Sequence, residues 1–248
     1  MLVQRALVAL ALVGCLSGSA FAAIVPGDPN ENEPWLFEIY NTLYGTNYAS
    51  TNDPAFLQLQ VDNFETLTID SEFESITFDP LWRQSWLTVD VFFYTLDGSN
   101  NPDQFTHVVG PIDNTGPNSG QGQLTEPALT VSTFGITEIG FQDRAKDPGS
   151  PFTYYWYSQP DLNDGQYSVV PGEVHVLLLE TSMPDTYLLC FEDLPYTYFA
   201  GVNDIGDTDY QDMLVQITLN RTVVPEPTSM ALLGLGLAGL ALRKLRKA

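Results

Sequence analysis

The sequence contains little positive charge: nine lysine and arginine residues face 31 aspartates and glutamates, and the formal net charge is −22. Five of the nine cations lie in the two terminal segments, so the region between them is still more acidic. An acidic surface repels nucleic acid and anionic lipid, and it attracts cations. The composition therefore argues against a nucleic-acid partner and favours bound cations.

Cysteine is also scarce, since the 248 residues contain only Cys15 and Cys190. Cys15 lies in an N-terminal segment that we expect to be removed, which leaves Cys190 as the only thiol. No internal disulfide is then possible, so packing or bound ions must supply the stability of the folded protein.

The N-terminal segment has a short apolar run after Arg5, and small residues follow it with Ala20 and Ala22 in an A-x-A pattern. The run is too short to cross a bilayer. This order of features predicts a signal peptide at residues 1–22, cleaved after Ala22 and exported through the Sec translocon. Alternatively, the stretch LVGC resembles a bacterial lipobox, in which Cys15 would carry the lipid.

Residues 23–63 form an acidic lead that we expect to contain short helices. Apolar side chains recur there at three- and four-residue spacing, which predicts an amphipathic helix that ends near Gly45. These side chains are Trp35, Leu36, Ile39, Tyr40 and Leu43. Polar caps before Pro54 predict a second short helix that begins at this proline.

Residues 64–222 change to period-two patterns rich in Val, Ile, Thr, Tyr and Phe. The predicted strand segments are ETLTID, ESITFDP, WLTVDVFFYTL, LTVSTFGITEIGFQ, FTYYWYS, EVHVLLLE, DTYLLCFEDL and DMLVQITLN. Turn-rich stretches separate them, and no fixed repeat is present. The body is therefore predicted to be all-β, an antiparallel β-sandwich or jelly roll.

Acidic residues concentrate near the end of this body, where four aspartates lie within nine residues just before the last predicted strand. Oxygen ligands from a flexible loop suit Ca²⁺, although the spacing is not that of an EF-hand. The candidate ligands are Glu192, Asp193, Asp204, Asp207, Asp209 and Asp212. Alternatively, these carboxylates cap turns and accept bonds from backbone amides at the entry to the strand.

The same region, residues 190–219, resembles the DUF4114 family of secreted and surface bacterial proteins. The resemblance is carried by Phe191-Glu192-Asp193-Leu194 and by the aspartate-rich run Asp207-Thr208-Asp209-Tyr210-Gln211-Asp212. It implies a β-sandwich and Ca²⁺ binding.

Motifs for acyl transfer, nucleotide chemistry and zinc chemistry are absent from the sequence, so we expect a protein that is not an enzyme. His175 is expected on the outer face of a strand without a chemical role. Carboxylate pairs leave a glycan-active hydrolase as an alternative, because two such groups can act as acid and base. The aromatic run Tyr154–Tyr157 places rings on both faces of a strand, which favours either core packing or a lectin-like surface for matrix polysaccharide.

Residues 229–242 are predicted to form a short transmembrane helix, whose apolar run, Met230 to Leu242, has 13 residues. Such a run spans roughly 20 Å, whereas the hydrocarbon core is about 30 Å thick. Four cations follow, which the positive-inside rule keeps in the cytoplasm: Arg243, Lys244, Arg246 and Lys247. The segment is thus a weak permanent anchor or buried helix, and we expect it to occupy the inner membrane transiently.

Pro225-Glu226-Pro227 stands directly before this helix, and two prolines around a glutamate enforce an extended backbone. Residues 223–248 resemble the PEP-CTERM sorting signal in motif, order and position. The resemblance implies a Gram-negative bacterium that makes exopolysaccharide, and an exosortase that cuts near the motif and moves the body to the cell surface or extracellular matrix. The protein is therefore predicted to be an exported, acidic surface or matrix protein.

Overall fold

A computed structural model describes residues 34–85, 87–112, 122–146, 153–163, 174–193 and 209–222. The predicted signal peptide, Cys15 and the C-terminal signal with its helix at 229–242 lie outside these ranges. Within the described ranges, no helix is long and apolar enough to cross a membrane.

The described residues form two α-helices, one short 3₁₀ helix and eleven strands. The helices are α1 (Leu36–Tyr44), α2 (Pro54–Leu57) and the 3₁₀ helix (Pro160–Leu162). The strands are β1 (Leu67–Thr68), β2 (Phe73–Arg83), β3 (Thr88–Leu96), β4 (Pro102–Ile112), β5 (Gly122–Gln123), β6 (Leu129–Ser132), β7 (Glu138–Lys146), β8 (Thr153–Tyr157), β9 (Val176–Glu180), β10 (Thr186–Phe191) and β11 (Met213–Arg221).

The strands build two antiparallel sheets. The first sheet has the order β5-β2-β11-β10-β9, and β6 pairs with β2 as well. The second sheet has the order β1-β7-β3-β4, and β8 also pairs with β7. Apolar side chains of both sheets share one core, in which Phe78 of β2 stacks on Phe93 of β3 with ring centroids 5.2 Å apart. The predicted all-β antiparallel sandwich is confirmed.

The two predicted N-terminal helices are also confirmed. Helix α1 ends at Gly45, whose φ of 66° is a left-handed conformation that glycine adopts without steric cost. Helix α2 begins at Pro54, and the Asp53 carboxylate caps it by accepting a hydrogen bond from the Ala55 amide at 2.9 Å. The backbone preferences of Gly45 and Pro54 therefore explain where α1 ends and where α2 begins.

These helices cover the outer face of the first sheet. Their apolar side chains share a second cluster with residues of β9, β10 and β11 that point away from the main core: Leu36, Ile39, Tyr40, Phe56, Leu177, Leu179, Leu188, Cys190 and Leu214. Strand β9 is consequently buried on both faces, which explains why it is continuously apolar instead of alternating.

Two strand predictions need correction. Residues 129–142 are predicted as one segment, but β6 belongs to the first sheet and β7 to the second. The chain turns between them at Phe134 and at Gly135, which has a φ of 78°. Strand β4 is not among the predicted segments, because it is an edge strand with register shifts against β3, and its burial does not alternate.

Candidate functional site

Three predicted ligands meet at one end of the first sheet. Phe191 pairs with Met213 as β10 ends and β11 begins, so Glu192 and Asp212 lie at the same end of adjacent strands. One carboxylate oxygen each of Glu192, Asp209 and Asp212 lies within 4.8 Å of the other two. We call these three residues the carboxylate cluster. Glu192 and Asp209 are buried, and Asp212 is half-buried.

The cluster is electrostatically unfavourable unless something neutralises it. Burial raises the pKa of Asp212 well above its ordinary value, and the charges of Asp193, Glu192 and Asp209 raise it further. Negative charges in a poorly solvated place repel each other strongly, so protons or a cation would relieve the repulsion.

The loop that carries two of these carboxylates is held in place by Tyr210. This residue adopts a φ of 58°, which is costly for a side chain of its size. Its ring is buried in the apolar cluster between the two helices and the first sheet, and its hydroxyl donates a hydrogen bond to the Val174 carbonyl at 2.9 Å. Next to it, the Gln211 side-chain amide donates to Asp209 at 2.7 Å, which orients that carboxylate.

Asp193 lies beside the cluster but has a structural role. Its carboxylate accepts a hydrogen bond from the Ser85 hydroxyl. Its amide donates to Asp212 at 2.8 Å, and its carbonyl accepts from the Trp156 indole at 2.8 Å. Of the six predicted ligands, the structure thus brings three together and places Asp193 next to them, whereas Asp204 and Asp207 lie outside the described residues.

The prediction that His175 lies on an outer strand face is wrong. The side chain is fully buried just before β9, and its ring stacks on Trp156 with centroids 3.6 Å apart. Nδ1 lies 2.9 Å from the Glu192 carbonyl, and it must donate because a carbonyl only accepts. Trp156 comes from the second sheet, so the burial of His175 depends on a contact between sheets that strand periodicity does not reveal.

Two further charged residues at this end escape the sequence analysis. Arg83, at the end of β2, is fully buried, and its guanidinium donates to the Leu87 carbonyl. Asp143 of β7 is also fully buried, and its pKa is raised well above the ordinary value by burial and by the charges of Asp193 and Asp90, against the opposing charge of Arg83. The one sequence feature that could have drawn attention to Arg83 is that residues 64–222 contain only four cations.

The donor set fits a hard divalent cation. Carboxylate oxygens are the preferred ligands of Ca²⁺, which takes six to eight oxygens in flexible geometry. Glu192, Asp209 and Asp212 would supply three of these ligands. Backbone carbonyls, water or further side chains would have to supply the others.

A second surface of interest is the outer face of the second sheet. The Arg144 guanidinium lies 3.8 Å from the ring centroid of Phe92, and 5.6 Å and 5.8 Å from those of Phe105 and Tyr155. We call these four residues the aromatic face. Phe105 and Tyr155 are each 38% exposed, whereas Tyr154 and Trp156 of the same aromatic run point inward and are buried.

Comparison with known families concerns the C-terminal segment. A family model described as the PEP-CTERM protein-sorting motif matches residues 223–247. No curated protein and no solved structure matches the chain. The predicted PEP-CTERM signal is confirmed, and the likeness of residues 190–219 to the DUF4114 family stays a prediction. The motif supports an exported protein that an exosortase processes and that reaches the cell surface or the extracellular space.

Proposed function

Because the chain carries a PEP-CTERM protein-sorting motif, we propose that it is a non-enzymatic protein of the extracellular matrix in a Gram-negative bacterium that makes exopolysaccharide. Its β-sandwich is stabilised by Ca²⁺ at the carboxylate cluster. The motif at residues 223–247 is the observation that carries the sorting part of the proposal. The acidic composition fits a soluble body that attracts cations.

The position of the motif suits removal of the tail. Strand β11 ends at Arg221, and the Thr222 amide donates to the Glu72 carbonyl at 2.9 Å. A cut near Pro225-Glu226-Pro227 therefore removes no strand and no side chain of the described core. The body can keep its fold after processing.

The sorting proposal is tested with Glu226→Ala, with Glu126→Ala as the matched control because Glu126 is exposed in a loop of the body. Both variants are expressed in a host that contains the exosortase. We expect the wild type and the control to lose the C-terminal segment and to reach the surface fraction, whereas Glu226→Ala keeps its full mass in the membrane. Equal mass and equal location of Glu226→Ala and the control would contradict the proposal.

The metal proposal rests on three carboxylates held within 4.8 Å, two of them buried and one with a raised pKa. A cation that binds only the folded state stabilises it by about 2.7 kcal/mol at 100 times its Kd. We expect Ca²⁺ to raise the melting temperature above that in EDTA, and Asp209→Asn to reduce the difference. Asp103→Asn is the control, because Asp103 is an exposed carboxylate on β4.

Titration calorimetry with Ca²⁺ completes this test. We expect heat of binding for the wild type and for Asp103→Asn, and a much weaker signal for Asp209→Asn. A melting temperature that is the same in Ca²⁺ and EDTA, together with no binding heat, would remove the metal from the proposed function and leave the sorting part unaffected.

The aromatic face supports a second candidate function, binding of matrix polysaccharide. Exposed rings offer flat apolar surfaces to sugar rings, and Arg144 adds the hydrogen-bond donors of a guanidinium. We expect Tyr155→Ala to weaken binding to purified polysaccharide by about tenfold, as truncation of an aromatic anchor often does. Phe134→Ala is the control, because Phe134 is exposed in the turn between β6 and β7, outside the aromatic face.

The same assay distinguishes a lectin-like function from the remaining alternative, a glycan-active hydrolase. Binding that Tyr155→Ala reduces, without release of sugar, supports the lectin-like function. Release of reducing sugar from the polysaccharide would support a hydrolase and overturn the non-enzymatic proposal.

A further inference from the structure

The most exposed large apolar side chains of the described residues lie in two turns of the sandwich. Phe134 is 96% exposed in the turn between β6 and β7, and Met183 is 41% exposed in the turn between β9 and β10. Phe105 and Tyr155 are less exposed and flank Arg144 on the aromatic face. Phe134 and Met183 are the two of these four that lie at loop tips.

Register places Phe134 beside the point where the chain leaves the body. Arg221 of β11 pairs with Phe73 of β2, and the Thr222 amide bonds the Glu72 carbonyl. On the other side of β2, the Thr133 hydroxyl donates to the Phe73 carbonyl at 2.5 Å, directly before Phe134. Phe134 is thus two strands from β11, which is roughly 10 Å at the usual strand spacing. Thr222 and Phe134 also line one shared cavity of about 440 Å³.

Met183 lies on the other side of the same exit point. The Leu219 amide donates to the Asp185 carbonyl at 2.9 Å, and the Arg221 guanidinium bonds the Asp185 carboxylate at 2.6 and 2.7 Å. The turn with Met183 is therefore level with the end of β11. The chain leaves the body between two exposed apolar side chains, and we call this end of the sandwich, with Phe134, Met183 and Thr222, the exit end.

The length of the tail keeps the exit end near a bilayer. The apolar run begins at Met230, eight residues after Thr222. Eight extended residues span at most about 29 Å. The carboxylate cluster lies at the opposite end of β11, roughly 27 Å farther away. While the tail is in the membrane, the exit end is thus the near end of the body.

We propose that the exit end is a membrane-contact surface in the uncleaved protein, with Phe134 and Met183 in the interfacial layer of the lipid. This inference rests on the proposed function, because it needs the tail in the bilayer. Single exposed apolar groups bind lipid weakly by themselves, but a tether raises their effective concentration at the surface. The contact then orients the body with its exit end toward the membrane while the exosortase acts on the motif.

The charges of the exit end select the kind of lipid. Arg221 is the cation there, and it pairs with Glu72 and Asp185. Asp70 and Glu74 lie nearby as exposed carboxylates. The end is net acidic, so the contact is stronger on zwitterionic than on anionic lipid.

The test uses the full chain in phosphatidylcholine vesicles that contain brominated lipid as a quencher. A fluorophore is attached to one introduced cysteine in a Cys15→Ser background, since Cys190 is fully buried and does not label. The positions are Ser71→Cys at the exit end and Gln123→Cys as the matched control. Gln123 is exposed and pairs with Trp82, at the far end of β2 from Phe73.

Probes at Ser71 are expected to be quenched several-fold more than probes at Gln123, and Phe134→Ser is expected to halve the quenching at Ser71. Added phosphatidylglycerol should reduce it as well. Equal quenching at both positions, or no effect of Phe134→Ser, would overturn the inference. So would quenching at Ser71 that requires added exosortase, which would indicate a protein partner.

A third probe at Ser229→Cys separates this failure from failure of the proposed function. Quenching at Ser229 without quenching at Ser71 places the tail in the membrane and rejects only the contact surface. Absence of quenching at Ser229 contradicts the membrane stage of sorting and, with it, the inference.

Discussion

Aspartate side chains at the two ends of the sandwich have pKa values shifted in opposite directions. At the end that holds the carboxylate cluster, burial and neighbouring negative charge raise the pKa values of Asp143 and Asp212. At the exit end, hydrogen bonds from the exposed Arg221 lower the pKa of Asp185. Solvent access and neighbouring groups therefore decide which of the many acidic side chains have a raised pKa and which a lowered one.

Strands β2 and β11 connect these ends, and each finishes in an arginine. Arg83 pairs with Met213 at the buried end, whereas Arg221 pairs with Phe73 at the exposed end. The arginines therefore form an internal comparison between a buried and a solvated cation on the same pair of strands. Three predictions test it.

The largest effect is expected for Arg83→Met. The charge of Arg83 acts against the raised pKa of Asp143, and removing one partner of a buried charge pair costs about 3–5 kcal/mol. Urea unfolding at pH 7 measures the change in the free energy of unfolding. Arg83→Lys is the control that keeps the charge without the planar guanidinium, and it should lose less. A loss below about 1 kcal/mol for Arg83→Met would erase the contrast between the ends.

A moderate effect is expected from pH in metal-free protein. Because Asp143 and Asp212 have raised pKa values when folded, the folded state keeps protons that the unfolded state releases. The free energy of unfolding should therefore fall as pH rises above about 4, by up to about 1.4 kcal/mol per pH unit for each carboxyl. Urea unfolding in EDTA between pH 4.5 and 8 measures it.

Two variants sharpen this pH prediction. Asp143→Asn should flatten the fall, because it removes one of the two groups with a raised pKa. Asp185→Asn at the exit end should leave the fall unchanged. The lowered pKa of Asp185 contributes stability at every pH above the ordinary pKa of aspartate, and this contribution is lost only in acid. A stability that increases with pH throughout the range would refute the assignment of the buried protons.

The smallest effect is expected for Arg221→Ala. Its ion pairs with Glu72 and Asp185 are exposed to solvent, which screens them, so they contribute little to the free energy of unfolding. Its guanidinium also lies 4.8 Å from the Phe73 ring centroid, which adds a modest packing loss. Thermal unfolding in low and high salt measures the effect, which should shrink as salt screens the pairs. A loss as large as that of Arg83→Met would contradict the comparison.

Much of the fold was predictable because local signals agree with the tertiary structure. Gly45 and Pro54 mark helix ends through their own backbone preferences, and alternation in β11 follows from one face in the core. The division of segment 129–142 was not predicted, because residues typical of strands continue on both sides of the turn at Phe134. Edge strand β4 has no buried face along most of its length, so no pattern identifies it.

The candidate site was predictable only in part. Glu192 and Asp212 lie near the adjoining ends of two predicted strand segments, so their proximity follows once those strands pair. Arg83 reaches this end because β2 pairs with β11, and His175 lies just before β9, where it bonds the Glu192 carbonyl. Asp143 comes from β7 of the second sheet, so only the contact between the sheets brings it here. Their residue types suggest exposure, since charged residues are rarely buried without partners.

The sequence by itself determined the destination of this protein, since the Pro-Glu-Pro motif, apolar run and basic end form one contiguous signal that matches a sorting motif at residues 223–247. It also determined the all-β class, because period-two alternation is a property of the local chain. Only the tertiary structure decided which acidic residues are buried together and which apolar residues surround the exit of the chain. Both depend on pairings between strands distant in sequence, which bring together groups whose burial and charge no local pattern records.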